Sequence, residues 1–246
     1  MKVAVTGAAG LLGQALLPAL SASHQVRASD LRPRAGRPPV EAADVLDRAA
    51  MDALCGGMDA VVHLAHAAWD PSLADDDNES RILDTRLKGT YTLLLAAAAQ
   101  GVRRVVQVSD LCALSGYGDE LIVGEDFAPL PDTSAHQQAV HLSELVGREF
   151  SRLHPGLVCT LRLGALVDAA ALTPDAAFQD DWLDLADATA AIVRALEVDT
   201  FDGFGHWELY DLAAEIPGGR YDLRKIRAGR LAFSPRQDFA AWRQGT

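Results

Sequence analysis

Short, continuously apolar runs alternate along this chain with longer stretches in which apolar residues recur every three or four positions. The runs Lys2–Thr6, Gln25–Ser29, Ala60–Leu64, Arg104–Ser109, Val158–Leu163 and His206–Tyr210 predict strands. Their nearly unbroken hydrophobicity is what strands covered on both faces of a parallel sheet require. Helical spacing predicts helices over Leu11–Ser21, Asp47–Cys55, Glu79–Gln100, Ala135–Leu153 and Asp184–Glu197. In the last of these, Leu185, Ile192, Val193 and Leu196 share a face, while Asp184 and Asp187 stand at the positive end of the helix dipole. Gly101 closes the helix before it as a C-cap, and Arg103 and Arg104 follow near its negative end. The Pro- and Arg-rich piece Arg32–Pro39 reads as a surface loop, and Ala169–Asp181 as an irregular connection.

Strand and helix in alternation imply right-handed crossovers. The predicted fold is therefore α/β: a Rossmann-type, doubly wound parallel sheet with helices on both faces. Residues 1–246 read as a single domain, with a reduced C-terminal substrate lobe drawn from 164–183 and 203–246. The net charge of −12 argues against nucleic acid and anionic membranes as partners. The scattered cysteines, Cys55, Cys112 and Cys159, have no metal-ligand spacing and read as reduced thiols, so no metal site is expected. No apolar run reaches the ~20 residues of a membrane span. With a strand starting beside Met1, a cytoplasmic protein is expected.

The sharpest local signal is Thr6-Gly7-Ala8-Ala9-Gly10-Leu11-Leu12-Gly13, which follows a strand and opens a helix. Gly7 permits the tight turn, Gly10 lets a pyrophosphate approach the backbone, and Gly13 lets helix and strand pack closely. The free amides and partial positive charge of the helix N-terminus then face the phosphates. Asp30 ends the second strand 23 residues after Gly7, where a carboxylate accepts from a ribose 2′-hydroxyl. A 2′-phosphate would meet a like charge there, so NAD is favoured over NADP, although Arg32 and Arg34 could pair with such a phosphate. The expected dinucleotide contacts are Gly7, Ala9, Gly10, Leu11, Leu12 and Gly13, then Asp30, Leu31 and Arg32, then Asp44 and Val45 at the adenine. Leu64, Ala65 and His66 after the third strand, and Val108 on the fourth, complete the set.

Further segments carry a resemblance. They are Gly89-Thr90-Tyr91-Thr92-Leu93-Leu94 with Gly101-Val102-Arg103-Arg104-Val105-Val106, then Leu161-Arg162-Leu163-Gly164, then Asp184-Leu185-Ala186-Asp187-Ala188. Together with the glycine loop, Asp30, Asp44-Val45 and His63-Leu64-Ala65, they resemble the extended short-chain dehydrogenases, the NAD-dependent epimerase/dehydratase family. The resemblance implies a Tyr-x-x-x-Lys helix and a Ser or Thr after the fourth strand. The tyrosine would exchange a proton with a substrate hydroxyl, while the lysine lowers its pKa and holds the nicotinamide ribose. Aligned on Ala139 and Glu144, those two positions are His136 and Val140 here. Ser109 matches the first strand-end serine, the catalytic serine position falls near Leu111 or Cys112, and Ser115 lies further along the same loop. Arg86 stands where the family has an asparagine.

The resemblance thus predicts a dinucleotide-binding protein without the usual proton relay: a sensor or non-standard member, lacking the usual hydride chemistry. The alternative is an active oxidoreductase or epimerase on a sugar-like or small hydroxylated substrate. In that reading His136 is the acid/base, because imidazole titrates near neutrality, and Ser109 is the second catalytic candidate. His141 and Ser143, elsewhere on the same helix, are weaker candidates. The short stretch between Asp168 and Asp184 predicts an open cleft with little water exclusion. By analogy, a homodimer would pair through the helices predicted over Glu79–Gln100 and Ala135–Leu153.

Overall fold

The computed structural model describes residues 1–200 and 205–243. Of the expected C-terminal lobe, positions 203–204 and 244–246 lie outside the described residues. Strands β1 (Lys2–Thr6), β2 (Gln25–Asp30), β3 (Val40–Ala42), β4 (Ala60–His63), β5 (Arg104–Asp110), β6 (Leu157–Leu163) and β9 (Trp207–Leu212) form one seven-stranded sheet. Its order is β3-β2-β1-β4-β5-β6-β9, and every pairing is parallel. The chain winds outward from β1 to β3, then returns and winds the other way from β4. A crevice consequently opens between β1 and β4 at their carboxyl ends, where Thr6 lies in register with Ser29 and His63.

Alternation along the strands supplies both cores. Val3, Val5 and Val62 pack with Leu16 and Leu20 of α1 (Leu11–Ser21) and with Ile192 and Leu196 of α6 (Leu185–Glu197). Ala4, Val61 and Val105 face the other way, onto Met51 and Leu54 of α2 (Arg48–Cys55) and Leu93 and Leu94 of α4 (Gly89–Ala99). The expected Asp47 and Asp184 helix starts are N-caps. Asp47 accepts from the Ala49 and Ala50 amides, and Asp184 from Ala186.

Two expectations needed correction. The edge strand β3 was not predicted, because only Val40 of its residues is buried and alternation cannot register over so short a run. The helix expected over Glu79–Gln100 starts earlier and is broken. It consists of α3 (Asp75–Leu83), a π-helical turn over Asp84–Lys88, and α4. Asp75, Asp76 and Asp77 favour the earlier start at the positive helix end.

The long helix α5 (Ala135–Leu153) begins as predicted behind an N-cap, with the Ser134 hydroxyl accepting from the Gln137 amide. The connection over Ala169–Asp181 is irregular, as expected, but it is framed by a short parallel pair, β7 (Ala165–Val167) and β8 (Trp182–Asp184). Phe178, Trp182, Phe239 and Trp242 cluster over it, and α7 (Arg224–Ala228) and α8 (Ala240–Arg243) finish the lobe. Asp187 accepts from the Arg236 and Gln237 amides, both at 2.9 Å, tying the C-terminal segment to α6. Among the described residues no helix is long and apolar enough to cross a membrane.

Candidate active site

A cleft of about 440 Å³ opens where the sheet changes winding direction. Gly7, Ala9, Gly10, Asp30, Leu31, Arg32, Asp44, Val45, Leu64, Ala65 and His66 all line it, so most of the expected dinucleotide contacts converge on one surface. Trp69, Asp70, Arg81 and Thr85, which carried no sequence signal, line it too. Leu11 is exposed and Leu12 is packed in the core. Their expected role rests on their amides, which begin α1 without carbonyl partners a turn earlier. Val108 does not line the cleft; it packs partly buried in the sheet, and its carbonyl accepts from Arg86 at 3.4 Å.

The glycine loop is shaped by contact as well as conformation. Gly7 has a φ of +68°, and a Cβ there would fall 2.6 Å from the Ala65 nitrogen, so the loop and the end of β4 nearly touch. A Cβ on Gly13 would fall 2.6 Å from Ala8 Cα, which is how α1 approaches the loop so closely. The Asp30 carboxylate accepts from the Ala9 amide and the Arg32 amide, each at 3.0 Å. One Asp44 oxygen accepts from Leu46 at 2.9 Å, so this acid shapes its own turn while facing the cleft.

At the end of β4, His63 is buried between Thr6 and Thr90. The Thr90 hydroxyl donates to the Arg86 carbonyl, so it accepts from His63 Nε2–H, and Nδ1 accepts from the Thr6 hydroxyl at 2.7 Å. Burial, helped by the Arg86 and His66 charges, lowers the His63 pKa to about 3. It is a neutral structural clip. His66 donates through Nδ1 to the Leu64 carbonyl at 3.0 Å; burial and the Arg86 charge hold its pKa down against that bond.

His136 begins α5, half exposed, with Nε2 3.6 Å from Asp110 Oδ2 at the end of β5. Burial pushes the Asp110 carboxyl up, but His136, the Cys112 amide at 2.8 Å and the Arg86 charge together hold it below its ordinary value. Burial first, then the Asp110 charge, pushes the Cys112 thiol up. Donor atoms of Asp110, Cys112 and His136 lie within 4.8 Å of one another, a grouping the spacing did not announce. Arg86, buried in the π-helical turn, already brings a cation to this acid.

Ser109 lies elsewhere. Its hydroxyl is buried and donates to Glu144 at 2.5 Å, while Glu144 holds Arg162 through two bonds of 2.8 and 2.7 Å. Arg162 Nη1 is 3.6 Å from Asp211, whose buried carboxylate oxygens have no hydrogen-bond partner among the described residues. This is an interior polar network joining β5, α5, β6 and β9. Ser115 donates to Gln137 at 2.9 Å, Ser143 to the Val140 carbonyl at 2.8 Å, and Val140 is fully buried.

The model of the NAD dependent epimerase/dehydratase family matches residues 3–167. The chain belongs to that family. An L-arabinose 1-dehydrogenase (NAD(P)(+)) from Haloferax volcanii is 29% identical over 212 residues, covering 79% of this chain and 76% of the relative. A uronate dehydrogenase from Pseudomonas syringae pv. tomato is 25% identical over 200 residues, 79% of this chain and 69% of the relative. Among solved structures, a tyrosine-to-alanine mutant of uronate dehydrogenase from Agrobacterium tumefaciens, complexed with NAD, superposes with a TM-score of 0.82 at 23% identity. That match covers 99% of this chain and 88% of the other. The expected family and the Rossmann-like fold are both borne out. The reading as a non-catalytic sensor gains no support from relatives named as dehydrogenases.

Proposed function

We propose that this family member is an NAD-dependent oxidoreductase acting on a hydroxyl of a sugar-like substrate, with His136 as the proton acceptor and Asp110 holding it. The observation that carries the reading is the 3.6 Å approach of His136 Nε2 to Asp110 at the carboxyl edge of the sheet. His66, which lines the cleft, senses the charges of both residues.

The cleft suits the nucleotide. Gly7 and Gly10 remove side chains where a diphosphate approaches, the α1 amides supply donors, and Asp30 offers carboxylate oxygens to the neighbouring ribose. NAD, when bound, supplies the hydride acceptor. Asp110 fixes the imidazole ring, and His136 removes the hydroxyl proton; a positioned base of this kind contributes roughly 10²–10⁴-fold. The named substrates of the relatives, arabinose and uronate, support a sugar-type substrate.

Two measurements test the reading. Calorimetric titration with NAD is expected to saturate. Absorbance of reduced nicotinamide, followed across a panel of aldoses and uronates, is expected to rise with at least one of them. Saturable binding without turnover on any sugar would reject the reaction, and no binding at millimolar NAD would reject the cofactor.

A further inference from the structure

The linear spacing of the cysteines carries no metal-ligand pattern, but the fold builds one around Cys112. Asp110 ends β5 and caps a 3₁₀ turn over Leu111–Leu114, its Oδ1 accepting from the Cys112 amide at 2.8 Å. Its other oxygen, Oδ2, lies 3.6 Å from His136 Nε2. One donor atom from each of Asp110, Cys112 and His136 lies within 4.8 Å of the other two, and no other such trio comes together among the described residues.

The spacing suits an ion. Zinc bonds of roughly 2.0–2.3 Å at tetrahedral angles put neighbouring ligand atoms about 3.3–3.6 Å apart. The Asp110–His136 pair already stands close to that separation, at 3.6 Å. The thiol, inside the 4.8 Å limit, needs at most roughly 1 Å of side-chain movement to join them. The elements that carry the donors are also tied together. Ser115 donates its amide to the Cys112 carbonyl at 3.1 Å and its hydroxyl to Gln137 at 2.9 Å, next to His136 in the first turn of α5. Gln137 in turn accepts from the Asp132 amide at 2.8 Å.

Access and charge agree with this. The side chains of His136 and Asp110 are 45% and 40% exposed, so an ion reaches them from solvent. Cys55 and Cys159, by contrast, are packed in the two cores. With Cys112 as a thiolate the trio brings two negative charges and a neutral imidazole, against the one positive charge of nearby Arg86. Sulfur and imidazole beside a single carboxylate select zinc, whereas magnesium and calcium take oxygen ligands. Three protein ligands leave the fourth position of the ion to water.

We propose that Asp110, Cys112 and His136 form a zinc site, and that its occupancy stops the reaction by converting His136 from a proton acceptor into a ligand. The second half rests on the reading of His136 as the base; the first half does not. Binding expels the Cys112 thiol proton to solvent and engages the imidazole lone pair that proton transfer needs. No oxidation state changes.

The test starts with the metal alone. The full chain, reduced and stripped with a chelator, is titrated with Co²⁺. A thiolate-to-cobalt charge-transfer band is expected to rise to one equivalent and to be erased by Zn²⁺. Cys112→Ser is expected to lose the band, Cys112→Ala serving if that variant does not fold, while Cys55→Ala keeps it. Loss of an outer partner of a metal ligand costs roughly 10–100-fold in affinity, so loss of the thiolate is expected to weaken zinc by about a hundred-fold or more in calorimetry. In turnover, zinc is expected to inhibit the parent reversibly, with activity restored by chelator and unaffected by Mg²⁺. Cys112→Ser, which keeps both members of the proton-transfer pair, is expected to stay active and to need about a hundred-fold more zinc.

Absence of the band, or a band that survives in Cys112→Ser, overturns the site. Zinc bound at the trio with turnover unchanged or raised overturns the inhibition. A cobalt band in a chain that turns over no sugar keeps the site and rejects the reaction assigned to His136.

Discussion

The Asp30 carboxylate accepts a 3.0 Å hydrogen bond from the Ala9 amide, so the acid proposed to hold the ribose also fastens β2 to the glycine loop. Losing a charged acceptor costs roughly 1.5–3 kcal/mol. Asp30→Ala is therefore expected to weaken NAD binding by about ten-fold or more in calorimetry, and to narrow any preference over NADP. Unchanged affinity would remove the acid from the nucleotide site.

Gly7→Ala tests the loop independently. An alanine would have to hold a φ of +68° with its Cβ 2.6 Å from the Ala65 nitrogen and 2.7 Å from the Leu64 carbonyl carbon. Strained backbone of this kind costs roughly 1–3 kcal/mol before any clash is counted. A chain of this length loses about 2–4 °C of melting temperature per kcal/mol. A fall of several degrees by calorimetry is expected, together with loss of NAD binding; a variant that melts and binds as the parent does would contradict the close approach.

If His136 is the proposed proton acceptor, His136→Ala should lower kcat by roughly 10²–10⁴-fold with nucleotide affinity intact, because the side chain lies against Asp110 and not in the glycine loop. Asp110→Asn should lower kcat too, by less. Turnover that survives His136→Ala unchanged would strip that residue of its role.

Glu144 is expected to matter for folding. Glu144→Ala deprives buried Arg162 of both short hydrogen bonds and leaves the Ser109 hydroxyl without its acceptor. Breaking one side of a buried pair costs roughly 3–5 kcal/mol. Urea denaturation should show a loss of that order, and a loss under about 1 kcal/mol would mean that the network is not closed as described.

Asp211 gives stability a pH dependence of definite sign. Burial raises its pKa to about 8; the Arg162 charge opposes this, and Glu125 and Glu144 add to it. Its folded-state pKa thus lies above the ordinary aspartate value of about 3.9. The folded chain keeps this proton longer than the unfolded chain, so its contribution to stability is full below about pH 4 and is lost as pH rises towards and through about 8. Asp211→Asn cannot ionise. Its melting temperature is expected to gain on the parent's between pH 6 and pH 9, and parallel curves would argue against the raised value.

Much of the fold could be read from the pattern of residues. Helices α1 and α5 begin and end where periodicity and the chain's turn signals put them, since each carries an uninterrupted apolar face. The break at Asp84 could not be read, because a π-turn preserves local helix propensity and only the packing of α3, α4 and α5 around it shows the extra residue. The nucleotide half of the site was legible for a physical reason. Backbone chemistry there demands particular residues at Gly7, Gly10 and Asp30, and their spacing is local. The proposed reacting pair was half legible: the resemblance named His136 through its alignment on Ala139 and Glu144, whereas Asp110, which approaches it at 3.6 Å from another element, lies outside any short window that contains His136. Ser109 shows the converse: a plausible hydroxyl at a strand end that the fold turns inward, onto Glu144.

The π-helical turn also sets an address. With 3.6 residues per turn, one residue more or less rotates everything beyond it by about 100°. Removing a single residue from Asp84–Lys88 would therefore leave the composition of the segment almost unchanged while swinging either the Arg86 guanidinium or the cleft-lining Arg81 and Thr85 out of their compartments. In this chain, insertion and deletion at that turn carry consequences that substitution alone would not reveal.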